Sequence, residues 1–430
     1  MTRLLRSLGP GLLLAATSIG GSHLVLAPTA GARFGYELLW LVVVAHVLKY
    51  HAFEFGPRLA LAADMSLLEG YRRLPGPRNW ALWIGAFDMV LQSVGMLAAV
   101  AGLTGSIASI FTGTLTVPAW TAIVVLVAGV MLLAGRYRLL TIASGLMLFG
   151  LMIGTAVAFF TTPPSAGDLT HLVWPSLPAG SLLLVAAMLG WMPTGVGVSI
   201  WHSLWMREDR RFAAPPGLTG DVAVLDRRRR VGRGLRDMRF GYVVSAVIGV
   251  MFLALGAEVL KPAGLVPEGA GTALTLSRIY TERLGAWMQP VFLSIALFAM
   301  FSTTYTVMDG MPRTLTAAIR HIRGEADADR ADRGRVYWIY LVLMTLGSLA
   351  VVAAVPDPVT LITVLAAVTF VFSPLYFVLN TWCVTHFIED PALRPSRVDL
   401  AVAGVGIVFM VVTAGLLLYT EIGVRVLEVS

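Results

Sequence analysis

Two stretches of this sequence set backbone-loosening residues beside polar ones in the middle of apolar runs. The first carries Thr17, Ser18, Gly20, Gly21, Ser22 and His23; the second reads Gly190-Trp-Met-Pro-Thr-Gly-Val-Gly197 and includes Met192, Pro193, Thr194 and Gly195. Glycine weakens a helix by up to about 1 kcal/mol per residue, and proline removes an amide donor and clashes with the preceding turn. A helix broken in this way leaves free carbonyls at one stub and free amides at the other. Carbonyls hold cations and amide ends hold anions, so a pair of such breaks makes a small-ion or small-solute site.

Ionisable groups in apolar runs are the next candidates, because burying them is expensive. Asp88 and Gln92 stand i, i+4 and share one helix face. Asp88 is a candidate proton or cation site, or one half of an interhelical hydrogen-bonded pair. Ser302, Thr303 and Thr304 place three hydroxyls in a row that could meet freed carbonyls around a coupling ion, or bond back to their own helix. His46, Lys49, Glu54 and Arg58 are expected to snorkel or to pair, with Glu54 and Arg58 spaced i, i+4. Asp309 is expected to pair with Arg313 at the same spacing, and His202 either to carry a proton or to lie at the membrane interface. Ser373, Pro374 and Asn380 suggest a bend and a polar helix contact.

Patterns for enzymatic chemistry are absent. No H-E-x-x-H, G-x-S-x-G or P-loop sequence occurs, and His46 and His51 are five apart rather than four. The single cysteine, Cys383, excludes an intramolecular disulfide. No enzymatic activity, resident cofactor or nucleic-acid partner is expected.

The elements that must position these groups follow from composition. Of 430 residues, 57% are hydrophobic and 13% charged. Mean hydropathy is +0.78. A water-facing globule carries about 25% charged residues, so this chain belongs in a bilayer. Eleven windows are long and apolar enough for membrane helices: 11–32, 36–62, 80–109, 118–136, 139–161, 179–204, 238–260, 286–311, 335–354, 359–386 and 398–420. The first run lacks a small-residue cleavage site and is expected to stay in the mature protein. With the N-terminus inside, 25 of the 32 basic residues fall in cytoplasmic segments and 5 outside. That bias supports a cytoplasmic N-terminus and an external C-terminus. The run Asp226 to Arg230 reads as topogenic charge or a lipid-headgroup contact, and Gly324 to Gly334 as a solvated connector.

The fold class read from this is an all-α integral membrane protein. A single transport domain, 1–430, divides into a first half (10–161) and a second half (179–388). A loop at 205–237 and an extra helix at 398–420 complete it. The two breaks open the first and sixth windows. Windows 1–5 and 6–10 are then halves of opposite orientation, and paired interruptions of this kind point to a transporter's central site.

The stretch Gly9-Pro-Gly, followed by the first break and then Ala30-Gly-Ala-Arg-Phe-Gly-Tyr-Glu-Leu-Leu-Trp40, resembles the start of the Nramp family of proton-coupled divalent-metal transporters. Met192-Pro193 resembles that family's Met-Pro-His motif. The resemblance implies a LeuT-type fold with a 5+5 inverted repeat and one extra helix, alternating access and metal carriage, with Met192 as a soft ligand. This chain departs from the family at the first helix. Gly20 stands where the family's Asp-Pro-Gly-Asn motif has its Asp, and His23 where it has its Asn. Thr194 replaces the family His, and Met89 and Gln92 fall on or near the third-helix Asp–Glu pair. The expected function is a secondary active carrier of metal cations coupled to proton or sodium, in the plasma membrane. The alternative is a sodium-coupled carrier of a small non-metal solute, with Gly20 and Gly21 leaving room for it. A non-transporting sensor or membrane enzyme is a third class. Expected partners are the transported ion or solute and the lipid bilayer; the sequence leaves the oligomeric state open.

Overall fold

The computed structural model of the chain describes residues 18–134, 137–209, 212–215, 217–325, 328–329, 333–355 and 357–420, without the side chains of 137–148 and 270. Thr17 and the Gly9-Pro-Gly stretch lie outside the described residues. Among those described there is no strand.

In chain order the helices are α1 (Ala27–Phe34), α2 (Leu39–Ala62), α3 (Leu67–Arg72), α4 (Trp80–Thr112), α5 (Val117–Leu133) and α6 (Tyr137–Thr161). The second half follows with α7 (Leu182–Trp191), α8 (Val198–Glu208), α9 (Gly220–Leu255), α10 (Thr272–Leu284), α11 (Met288–Arg323), α12 (Arg335–Ala354), α13 (Pro358–Phe387) and α14 (Arg397–Leu418). Each of the eleven windows overlaps at least one of them. Six segments are long and apolar enough to cross a membrane: α4, α9 with its continuation to Leu260, and α11 to α14. Several of the other windows hold shorter apolar helices, α5 and α7 among them.

The interruptions differ in kind. The sixth window is broken outright: α7 stops at Trp191 and α8 starts at Val198, with no helix between them. The first window bends rather than uncoils. A turn at Ile19–Gly20 leads into a π-helical segment, Ser22–Leu26, which runs straight into α1. Pro28 explains the widening. It has no amide to give the Leu24 carbonyl, and the ladder shifts to an i→i+5 bond from Ala27 N to Ser22 O.

The segment expected as loop 205–237 is helical from Gly220 onward. Arginine is a good helix former, and Asp226 accepts from Arg230 Nε at 2.8 Å, one turn apart. The connector after α11 is not wholly solvated either, since Asp329 is held by Ser66 and His321 at 2.7 Å each.

The bundle packs α4 against α11, α7 against α13, and α2 against α8 and α9. Small residues let backbones approach, as membrane interfaces require. A β-carbon on Gly190 would lie 1.9 Å from the Ala366 carbonyl oxygen, so α7 sits on α13 backbone to backbone. The broken end of α7 is buried, with Met192 fully enclosed.

Candidate functional site

The two interruptions meet. Gly21 and Ser22 of the first segment and Trp191 and Thr194 of the sixth line one small cavity of about 30 Å³, closed from α11 by Thr303. That is space for about a water molecule or a single ion. Ser22 Oγ lies 2.9 Å from the Ser18 carbonyl, 2.8 Å from His23 Nδ1 and 3.5 Å from the Pro193 carbonyl, tying one break to the other. Gly20 backs onto Thr303, and its carbonyl is used by Leu24 N at 2.9 Å.

Other predicted residues point elsewhere. His23 turns toward α2 and α9, where Nε2 lies 2.9 Å from the Ser245 carbonyl. The Ser245 hydroxyl then reaches His46 Nε2 at 3.2 Å. Met192 sends its terminal methyl toward Gly249 and does not line the cavity, so the geometry does not present its sulfur to an ion there. Gly195 packs its α-carbon toward Thr369.

The coupling-ion candidates fall into two groups. Consecutive residues on a helix project about 100° apart, so three neighbours cannot face one ion. Thr303 faces the first segment, Thr304 pairs with Thr104 on α4 at 3.0 Å, and Ser302 does not line the cavity. Asp88 and Gln92 belong to a second cavity of about 30 Å³. Asp88 Oδ2 accepts from the Tyr376 hydroxyl at 2.6 Å, and Gln92 donates to Asp88 Oδ1. Thr369 donates to Gln92 Oε1 at 2.5 Å and accepts from Trp191 Nε1 at 3.1 Å. A continuous polar chain therefore runs from the Asp88 carboxylate to the broken end of α7. The two cavities share Met96, Val198 and Trp201 as a wall.

Lys49 corrects the expectation most sharply. It does not snorkel. Its side chain is 1% exposed, and Nζ donates to the carbonyls of Leu189 (2.6 Å), Met192 (2.8 Å), Thr194 (3.0 Å) and Gly190 (3.2 Å). The sequence offered a signal, because Lys49 lies mid-helix in α2, some 13 residues or about 20 Å from the Ala62 end, beyond snorkelling reach. Glu54 and Arg58 do pair, at 2.5 and 2.9 Å. His202 is fully buried rather than interfacial, and neither ring nitrogen has a hydrogen-bond partner among the described residues. Asn380 bridges the Ala52 carbonyl and Ser199, both at 2.9 Å.

Beyond the apolar layer, a cavity of about 560 Å³ gathers Glu69, Arg72, Arg207, Glu208, His321 and Asp329. These come from three segments that the charge pattern assigns to one side. Burial alone would raise the Asp329 carboxyl, but His321, Ser66 and Arg207 outweigh it and hold it below the ordinary carboxylate range. Glu208 goes the other way: burial pushes it up in spite of Arg313. Arg313 also holds Asp309 at 2.7 Å, and Tyr337 donates to Asp309 at 2.7 Å.

Two interrupted segments meeting at a small cavity inside a helical membrane bundle are the arrangement of a secondary transporter of the alternating-access class. Comparison with known proteins places it further. The chain belongs to the Nramp family: the pattern described as "Natural resistance-associated macrophage protein-like" matches residues 11–420. It is 29% identical over 383 residues to an uncharacterized protein of Pasteurella multocida, covering 87% of this chain and 84% of that one. It is 30% identical over 186 residues to the divalent metal cation transporter MntH of Erwinia tasmaniensis, a match spanning 43% of this chain and 45% of that protein. In fold it is similar to a manganese transporter of Eremococcus coleocola, with a TM-score of 0.69 at 14% identity over 96% of this chain and 85% of that one. It is also similar to Mhp1, a nucleobase-cation-symport-1 family transporter, with a TM-score of 0.58 at 15% identity over 95% and 89% of the two chains.

Proposed function

We propose that the protein is a plasma-membrane carrier of a metal cation, driven by a proton or sodium gradient, with eleven spans and a cytoplasmic N-terminus. The observation that carries this is the ion-sized cavity where Ser22 and Thr194, one from each interrupted segment, face Thr303. Family membership and the manganese and divalent-metal carriers among its relatives support the choice of cargo. Gly20, Gly21, Ser18 and Pro193 supply close-packed backbone at the gap. One wall away, Asp88 supplies the negative charge that a cation and its coupling proton or sodium need, and Gln92, a neutral amide, hydrogen-bonds to it.

One observation favours a second reading, a sodium-coupled carrier of a small non-metal solute. Among the described residues no three His, Cys, Asp or Glu side chains converge as a metal site, and hard or borderline ions normally recruit a carboxylate. Protein reconstituted in liposomes separates the two. Manganese or magnesium uptake, driven by an imposed proton or sodium gradient and reduced in Thr194→Val, supports the metal reading. Sodium binding by calorimetry without flux of either metal overturns it in favour of the second.

A further inference from the structure

Lys49 brings its side-chain nitrogen to a place where a broken helix offers free carbonyls. We propose that Lys49 is a tethered cation: its ammonium fills the carbonyl cradle at the end of α7 in place of a bound monovalent ion, and so locks α2 to the interruption of the sixth segment.

The cradle exists because of local sequence. In an unbroken helix the Leu189 carbonyl would accept from the amide of residue 193, but that residue is Pro193 and has none. The helix ends at Trp191, so the Gly190, Met192 and Thr194 carbonyls are released as well. All four converge on one nitrogen at 2.6 to 3.2 Å. Neutral carbonyl oxygens in a ring are the shell that replaces water around an alkali cation. A helix C-terminus adds roughly half a negative charge. The ammonium has three protons for four acceptors, so every donor is satisfied. The Phe53 ring lies 5.8 Å from Nζ and covers its apolar side. Among the described residues no carboxylate contacts the ammonium, which suits a single positive charge and not a divalent ion.

The consequence is mechanical. Any movement that separates α2 from the end of α7 strips the ammonium of its carbonyls inside an apolar layer. The inference does not depend on which species is carried.

The chain has only two lysines, Lys49 and the exposed Lys261, which makes the test internal. Detergent-solubilised full-length protein is pulsed with acetic anhydride and its peptides are weighed. Lys261 is expected to react at least about tenfold faster than Lys49. Equal rates overturn the proposal. Lys49→Ala is then melted in methylammonium, sodium or potassium chloride, with tetramethylammonium chloride as the control. Its melting temperature is expected to fall by several degrees and to recover with methylammonium or an alkali cation. Tetramethylammonium has no N–H and is too large, so it is not expected to rescue. Wild type is expected to respond to none of these salts. A folded Lys49→Ala that no cation rescues overturns the proposal. Lys49→Met keeps most of the stem and removes the charge, and decides the matter if the alanine variant does not fold. Melting at the wild-type temperature would mean that the ammonium is dispensable, whereas a lowered melting temperature supports the tethered cation.

Discussion

Gly20 and Thr303 touch across the turn of the first segment. A β-carbon on Gly20 would stand 3.0 Å from the Thr303 hydroxyl oxygen and 3.2 Å from its methyl. The resemblance to the family sets Gly20 against the Asp of its metal motif, and on that reading glycine here and the bulk of threonine are coupled choices. Gly20→Asp alone is expected to crowd Thr303 and to lower stability by about 1–3 kcal/mol. Combined with Thr303→Ala, the new carboxylate gains room at the cavity. Manganese affinity measured by calorimetry should then rise at least about tenfold, or ~1.4 kcal/mol. A double variant that folds and binds manganese no better than wild type would show that the first segment does not face the cargo.

Asp88 lines the second cavity, and it ends the chain of hydrogen bonds through Gln92 and Thr369 to Trp191. Asp88→Asn preserves shape and removes the charge. Gradient-driven uptake in liposomes is expected to fall about tenfold or more while the folded yield is kept. Tyr376→Phe removes one hydrogen bond to Asp88 and is expected to cost about 1 kcal/mol of stability with uptake preserved. Unchanged uptake in Asp88→Asn would reduce the carboxylate to an interhelical tie.

Much of the fold was legible because lipid leaves few options. Backbone polar groups must pair within the segment, so long apolar windows become helices, and all eleven overlap one. The break at Pro193 was legible for the same reason, since a missing amide is a local fact. The first break was only half legible. Two glycines announced weakness, but whether the chain uncoils or widens into a π-helix depended on Pro28, seven residues on. Side-chain direction was the least legible. Ser302, Thr303 and Thr304 read as one ion site, yet the helical turn sends them apart. His23 read as lining, yet Ser245 on α9 draws it away. Lys49 read as an interfacial charge because its partners are main-chain carbonyls about 140 residues away, which no residue type records.

The Asp329 cluster predicts a pH response at the charged end of the molecule. Its carboxyl is held below the ordinary value of 3.8, chiefly against burial, by His321, Ser66 and Arg207. A lowered folded-state value means that the contribution is present in full above the unfolded value and is lost as pH falls through the folded one. Stability measured by thermal melting should therefore drop below about pH 4. Asp329→Asn should remove that part of the acid dependence and be destabilised at pH 7. An acid branch identical in variant and wild type would mean that other carboxylates carry it.

A close backbone approach between α1 and the end of α9 gives the last prediction. α1 crosses the π-helical continuation of α9, Gly256–Leu260, with glycine on both sides. A β-carbon on Gly31 would lie 2.1 Å from the Leu253 carbonyl oxygen, and one on Gly256 would lie 2.3 Å from the Pro28 carbonyl oxygen. Neither obstacle is a flexible side-chain end, so the helices themselves must separate. Overpacking typically costs about 1–3 kcal/mol where side chains can give, and backbone against backbone exceeds that range. Gly31→Ala and Gly256→Ala are each expected to abolish the monodisperse peak in size-exclusion chromatography. Gly404 on α14 is the control, because nothing lies within 4 Å of its would-be β-carbon. Gly404→Ala is expected to be neutral or to gain up to about 1 kcal/mol through helix propensity. Normal behaviour of Gly31→Ala would place α1 and α9 further apart than described, and with them the approach of the first segment to the gap.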